Sequence, residues 1–145
     1  MKKIIVFGGT NDSDNNTMFK KIATDKNIIL IQATDFSTCR KDDENFMKFV
    51  NDSILESNII IFACPEWNYN VPWHFKQFID SIHYKLFKGK EARLVVWSGN
   101  DYGGNSVRDA LVLMAHHLGM NVSGKIVCLN GKEDHTERLK ELMGD

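Results

Sequence analysis

Short apolar runs alternate along the chain with longer, more polar stretches. Five runs of four residues are mostly β-branched and lack regular polar alternation, and they lie at 4–7, 28–31, 59–62, 94–97 and 126–129. Strands that are covered on both faces show this pattern. We therefore predict five strands, with the first, third and fourth at the centre of a sheet. The polar neighbours Gln32 and Lys125 place the second and fifth at or near its edges.

The stretches between the runs carry apolar residues at helical spacing. Strands that alternate with helices in this way predict βαβ units, a parallel sheet and right-handed crossovers. Five strands fit the doubly wound order 2-1-3-4-5, so we expect a three-layer α/β/α sandwich that forms one domain over residues 1–145. The apolar residues that mark the five helices are Met18 and Ile22; Phe46, Phe49, Val50 and Ile54; Phe75, Phe78, Ile79 and Ile82; Val107, Leu111, Met114 and Leu118, before Gly119; and Leu139 and Leu142, after a candidate N-cap at Asp134.

Composition and charge narrow the function classes. The chain has 18 Lys and Arg against 19 Asp and Glu, which argues against a general nucleic-acid binder and against a strongly acidic docking protein. No apolar run approaches the roughly 20 residues of a membrane span, and the run at 4–7 is too short for a signal peptide. Cys39, Cys64 and Cys128 form no close pair, so we expect reduced thiols and a cytoplasmic protein.

The predicted topology indicates where a ligand would bind. In the order 2-1-3-4-5 the sheet reverses direction between the first and third strands, and a crevice opens at their carboxyl ends. Three loops converge there, at 8–17, 64–73 and 98–105, and the second of them holds both prolines of the chain together with Trp67 and Trp73. These loops are the most unusual segments of the sequence, so the candidate site is placed on them.

Each loop suits a different part of a ligand. The first is rich in Gly, Ser, Thr and Asn before a helix, which suits a phosphate, although an ordinary turn with an N-cap has the same composition. It matches neither of the common glycine-rich nucleotide motifs. The second loop offers flat aromatic surface for a planar ligand. The alternative is that its aromatic residues, Trp73 in particular, cap the end of the sheet or form a subunit contact. The glycines of the third would let backbone approach a ring edge or form a flexible turn. Together the three loops favour a planar cofactor that carries a phosphate.

At these residues the sequence resembles the NADPH-dependent FMN reductase family of flavodoxin-like proteins. The family motif PEYNxSxPxxLKNxxD follows its third strand, and the first loop lies where the family has GSxRxxSxN. The third family motif is a Ser- and Gly-rich loop followed by a helix with an early Arg. The matching residues are Pro65, Glu66, Asn68, Pro72, Lys76 and Asp80 in the second loop and helix, and Ser98, Gly99, Gly103, Gly104 and Arg108 in the third.

The resemblance implies a flavodoxin-like fold and an oxidoreductase that binds FMN at the crevice. Such proteins pass hydride from NADPH or NADH to FMN and electrons onward to a small acceptor, such as a flavin or a quinone, often as homodimers or homotetramers. No catalytic side chain is required, because the flavin itself takes the hydride. The expected phosphate contacts are Gly9, Thr10, Ser13, Asn15, Asn16 and Thr17. The expected ring contacts are Pro65, Glu66, Trp67, Asn68 and Tyr69 on one side and Ser98, Gly99, Asn100, Gly103 and Gly104 on the other.

The departures from the family pattern lie mainly in the first loop. Asn11 stands where the family has Arg and Asp14 where it has Ser, with Asp12 between them. A phosphate there would lose a bidentate cation and would face carboxylates, so we predict weaker FMN binding than is usual for the family. In the second loop, Trp67 replaces a Tyr and Tyr69 stands where a Gly is frequent.

Two other functions remain open at this stage. One is a binding or regulatory protein that has lost FMN, which the acidic first loop supports. The other is a flavodoxin-type electron carrier without a nicotinamide reaction, which the small net charge disfavours. No metal site is expected from the five histidines, and Cys64 is expected to be a buried core thiol. The basic stretch from Lys85 to Arg93 is expected on a solvated surface, where it would attract nicotinamide phosphates.

Overall fold

The structure is a computed structural model that describes residues 1–36, 43–99, 104–129 and 135–144. None of the helices within these ranges has the length and apolar character needed to cross a bilayer. The elements are β1 (Lys3–Phe7), α1 (Asp14–Lys26), β2 (Ile29–Gln32), the single turn α2 (Ala33–Asp35), α3 (Glu44–Glu56), β3 (Ile59–Pro65), α4 (Trp73–Asp80), a short 3₁₀ turn (Tyr84–Leu86), β4 (Glu91–Trp97), α5 (Asn105–His117), β5 (Asn121–Leu129) and α6 (Thr136–Met143).

The five strands form one parallel sheet in the order β2-β1-β3-β4-β5. Every residue of β3 is buried, as expected for the central strand, whereas β5 at the edge has only Val127 and Leu129 buried. All five predicted strands, their order and the assignment of centre and edge are confirmed. The apolar runs predicted the strands because parallel strands are packed on both faces.

Helices cover both faces of the sheet. Alternate side chains of β1 and β3 point to opposite faces, so Ile4 and Ile60 belong to one apolar cluster and Ile5 and Ile61 to the other. The first cluster packs against α3, α4 and α5, and the second against α1 and α6. The predicted three-layer α/β/α sandwich is therefore confirmed.

The buried face of α1 differs from the predicted one. Phe19 and Ala23 are buried, while Met18 and Ile22 are only partly buried at the margin of the same cluster. The reason is aromatic packing, because the Phe19 ring lies 5.7 Å from that of Phe7 and 6.0 Å from that of Trp97. The predicted cap of α6 at Asp134 lies outside the described residues.

The basic stretch before and within β4 is solvated in part: Lys85 and Lys88 are exposed as expected, but Arg93 is not. Arg93 is 1% exposed; it donates to Glu91 Oε1 at 2.7 Å and to the Leu142 carbonyl at 2.7 Å, and it also bonds the Gly144 carbonyl. The hydrogen bond from Arg93 lowers the pKa of Glu91. These groups lie towards the amino end of β4, opposite the crevice. Arg93 therefore holds the end of α6 against the sheet and does not attract a ligand.

Candidate functional site

The carboxyl ends of β1, β3 and β4 bring the three loops together. The N–H of Gly8, first residue after β1, donates to the Ala63 carbonyl at 2.8 Å. The N–H of Glu66, first residue after β3, donates to the Trp97 carbonyl at 2.7 Å. The second loop thus begins beside both others, as the topology predicted.

Close packing explains the two glycines that open the first loop. A Cβ on Gly8 would lie 2.8 Å from the Phe75 ring and 2.9 Å from Cys64 Sγ, and a Cβ on Gly9 would lie 2.7 Å from the Phe7 ring. Cys64 is fully buried, and desolvation raises its pKa well above the ordinary value, which confirms a core thiol. Both glycines are therefore required by the core beneath the loop, whatever binds above it.

Ser13 and Asn16, two of the expected phosphate contacts, hold the first loop together. Ser13 caps α1, because its Oγ accepts from the Asn16 N–H at 3.1 Å and donates to the Thr10 carbonyl at 2.9 Å. Asn16 is 1% exposed, and its Nδ2 donates to Gln32 Oε1 at 2.9 Å and to the Thr10 carbonyl at 3.3 Å. Asn16 Oδ1 has no hydrogen-bond partner among the described residues. These two side chains are directed to the protein itself.

The rest of the first loop is exposed and acidic. Segment 8–17 contains no Lys or Arg, and the side chains of Asp12 and Asp14 are exposed. Asn11 Oδ1 accepts from Thr34 Oγ1 at 2.7 Å, so it is tied to the residues after β2. Of the other expected phosphate contacts, Gly9 is buried, Thr10 and Thr17 are exposed, and Asn15 is partly exposed.

The second loop contains a tight two-residue turn. Trp67 and Asn70 exchange backbone hydrogen bonds of 2.9 and 3.0 Å, and Asn68 and Tyr69 between them have φ of 48° and 62°. Positive φ at both central residues is the pattern of a type I′ turn. Asn accepts this conformation readily, but a bulky residue such as Tyr adopts it only with strain. Tyr69 is 76% exposed at the tip of the turn.

His74, in the first turn of α4, links the first loop to the second. It is 3% exposed, and its Nε2–H donates to the Gly8 carbonyl at 2.9 Å. Its ring lies edge-on to that of Trp67, with centroids 5.3 Å apart. Burial lowers the pKa of His74, and the hydrogen bond to Gly8 partly opposes this. The sequence analysis missed this role, because nothing local in the sequence pairs residue 74 with residue 8.

Glu66 holds the third loop in place. Its Oε2 accepts from the backbone N–H groups of Gly104, Ser106 and Val107 at 3.1, 3.2 and 3.3 Å. Gly104 is the N-cap of α5 and has no side chain with which to cap it, and its φ of 95° favours glycine. A carboxylate from the second loop therefore satisfies the amino end of α5.

A cavity of about 370 Å³ lies between the second and third loops, within the usual volume range of ligand sites, roughly 300–1,000 Å³. Pro65, which precedes Glu66, is buried at the end of β3, and Trp67 is 37% exposed. Asn100 and Gly103 lie outside the described residues. In the part of the chain that the structure describes, no group of three or more His, Cys, Asp or Glu is placed to hold a metal ion. The cavity is lined by Glu66, Asn68, Tyr69, Ser98 and Gly99, all of them expected ring contacts.

Comparison with known proteins identifies the family. The model of the NADPH-dependent FMN reductase family matches residues 3–134. The chain belongs to this family. The resemblance seen in the sequence is thereby confirmed, and the family pairs FMN with a nicotinamide electron donor, as its name states.

Individual relatives agree with this assignment. The NAD(P)H-dependent FMN reductase LOT6 of Saccharomyces cerevisiae is 35% identical over 69 residues, which is 48% of this chain but only 35% of LOT6. The match thus spans about a third of that relative. An oxidoreductase from Corynebacterium diphtheriae superimposes with a TM-score of 0.79 at 14% identity, covering 99% of this chain and 93% of that one. The general stress protein 14 of Treponema denticola, solved with FMN, superimposes with a TM-score of 0.69 at 14% identity, covering 99% of this chain and 92% of that one. At these identities the structures show the flavodoxin-like fold.

The two ends of the site fit FMN differently. The cavity at the second and third loops offers aromatic surface, amide and hydroxyl groups and the bare backbone of Gly99, which suit a planar heterocycle. The first loop offers exposed carboxylates and no cationic side chain, which do not suit a phosphate dianion. The ring end fits the cofactor of the family, and the phosphate end does not.

Proposed function

We propose that this protein is a flavin-dependent oxidoreductase that takes electrons from NADPH or NADH and passes them to a small acceptor such as a flavin or a quinone. The observation that carries the proposal is the cavity between the second and third loops, in a chain that belongs to the FMN reductase family. A bound flavin supplies the redox chemistry, accepting a hydride and returning electrons, while the protein supplies binding and orientation.

The chain's own residues would shape the ring site. Glu66 joins the second loop to the amino end of α5, and Asn68 and Tyr69, the central residues of the turn, form one wall of the cavity. Gly99 also lines the cavity, and an added Cβ there would meet no atom of the described residues within 4 Å. The open space beside Gly99 leaves room for a ring edge.

We extend the proposal to a cytoplasmic homodimer or homotetramer. Cys64 and Cys128 are free thiols, as a reducing compartment requires. Trp73 is 65% exposed on the first turn of α4, close to the site, which suits a contact between subunits near the flavin. Light scattering on the purified protein measures the oligomeric state directly.

The test of the proposed function is a titration with FMN, followed by the quenching of flavin fluorescence. Saturable binding is expected, and the variant Gly99→Phe should weaken it by at least about tenfold, since Gly99 lines the cavity and a phenyl ring there would occupy space that the flavin ring needs. Gly124→Phe is the matched control, because a Cβ on Gly124 also meets nothing within 4 Å and β5 lies at the sheet edge. NADPH oxidation with an added acceptor then measures the activity. Absence of FMN binding at roughly hundreds of micromolar would contradict the proposal, because a Kd above that range is too weak for a cofactor.

A second candidate is a relative that no longer holds a flavin. The exposed Asp12 and Asp14 in the first loop favour it. This candidate predicts no flavin binding in the titration, whereas an electron carrier predicts FMN binding without NADPH oxidation. The two assays together therefore separate all three functions.

A further inference from the structure

The charge of the first loop is the starting observation. Segment 8–17 carries Asp12 and Asp14, both exposed, and no Lys or Arg. Asp14 is the first residue of α1, where a carboxylate already meets the positive end of the helix dipole. A phosphate at this position would compete with the protein's own carboxylate and would face like charges.

Two side-chain donors of the same loop are committed to the protein. The single hydroxyl proton of Ser13 goes to the Thr10 carbonyl, and both amide protons of Asn16 go to Gln32 and Thr10. Asn16 Oδ1, a buried atom of this loop that lacks a partner within the described part of the chain, is an acceptor. A phosphate dianion also offers only acceptors, so it cannot relieve this atom.

The ring end of the site, between the second and third loops, differs from the first loop in the groups that it offers to a ligand. The amino end of α5, which also begins at the site, is closed to an external anion by the Glu66 carboxylate. The cavity beside it is lined by the Glu66 carboxylate, by an aromatic ring and by neutral amide and hydroxyl groups. This lining suits an uncharged heterocycle better than a phosphate.

We propose that the site recognises the flavin by its ring and does not select for the phosphate, so that riboflavin binds about as tightly as FMN. The inference rests on the proposed function and gives the class of flavin that this site takes: the free, uncharged flavin as well as its phosphate ester. A flavin held in this way exchanges with solution and acts as a substrate rather than as a permanently bound group.

The experiment compares the dissociation constants of riboflavin and FMN by fluorescence quenching at low and high ionic strength. The two constants should agree within about threefold. Raising the salt should leave FMN binding unchanged or tighten it, because screening removes repulsion from Asp12 and Asp14, whereas it loosens a phosphate site built on cations.

Charge variants supply the second arm. The double variant Asp12→Asn, Asp14→Asn should tighten FMN several-fold at low salt and leave riboflavin unchanged. Asp25→Asn, an exposed change near the other end of α1, should affect neither flavin. FMN binding about 30-fold or more tighter than riboflavin overturns the inference but leaves the proposed function intact. An unchanged FMN affinity in the double variant also overturns it. Binding of neither flavin overturns the proposed function, and this inference with it.

Discussion

Helices α1 and α5 both begin at the candidate site, and their amino ends are satisfied in different ways. The end of α1 is capped locally, by Ser13 at the N-cap and by Asp14 in the first turn. The end of α5 starts at Gly104, which has no side chain, and has no acidic residue in its first turn. Its N–H groups bond Glu66, which precedes Gly104 by 38 residues in the chain.

The comparison shows how a helix end can be removed from ligand binding. An uncapped helix end attracts anions because its N–H groups and dipole are unsatisfied. Here a neighbouring serine and aspartate serve one end and a distant glutamate serves the other. The cavity between the second and third loops therefore becomes the part of the site with free binding capacity.

The largest expected effect comes from removing the distant cap. Glu66→Ala leaves three backbone N–H groups without their acceptor and should lower the free energy of unfolding by about 1–3 kcal/mol. Glu66→Gln should cost less, because the amide oxygen still accepts. Urea unfolding measures both, and Glu56→Ala is the control, since Glu56 makes an exposed ion pair with Lys2, the kind worth about 0–1 kcal/mol. An equal loss in the two alanine variants would show that the distant cap is not special.

The local cap should be worth less. Ser13→Ala removes the acceptor of the Asn16 N–H and should cost about 1 kcal/mol of unfolding free energy. Asp43→Ala is a matched variant, because Asp43 caps α3 in the same way, accepting from the Phe46 N–H at 3.0 Å. Both should lose similar stability in urea, and neither should change flavin affinity, because neither residue lines the cavity. Weaker flavin binding in Ser13→Ala alone would show that the first loop contributes to the site.

The difference between local and distant contacts also explains which features of the structure could be predicted from the sequence. The strand runs and their order followed from periodicity and topology. The convergence of the three loops was predicted because parallel strands end at one edge of the sheet. The partner of Glu66 was not predicted, because residues 66 and 104 meet only through the pairing of β3 with β4.

Substitutions of Tyr69, in the turn of the second loop, test the ring end of the site separately from the first loop. Tyr69→Gly should raise the free energy of unfolding by up to about 1 kcal/mol, because glycine adopts a φ of 62° without strain, although it gains entropy in the unfolded chain. Tyr69→Phe keeps both ring and strain and should leave stability unchanged. Flavin affinity should fall in the glycine variant and persist in the phenylalanine variant if the ring lines the cavity. Affinity unchanged in both would remove Tyr69 from the ring site.

The smallest effect should come from His74, which joins the two ends of the site. Burial lowers its pKa in the folded protein below the ordinary value of about 6.5. The unfolded chain therefore binds the proton more readily, and stability should fall as the pH drops below that value and level off below the folded pKa. His74→Gln retains a donor for the Gly8 carbonyl but cannot titrate, so it should flatten this part of the curve. Urea midpoints between pH 5 and 8 measure the change over roughly the range in which histidine titrates. The exposed His116, replaced in the same way, should leave the slope intact. A slope that persists in His74→Gln but disappears in His116→Gln would mean that the link between the loops does not sense pH.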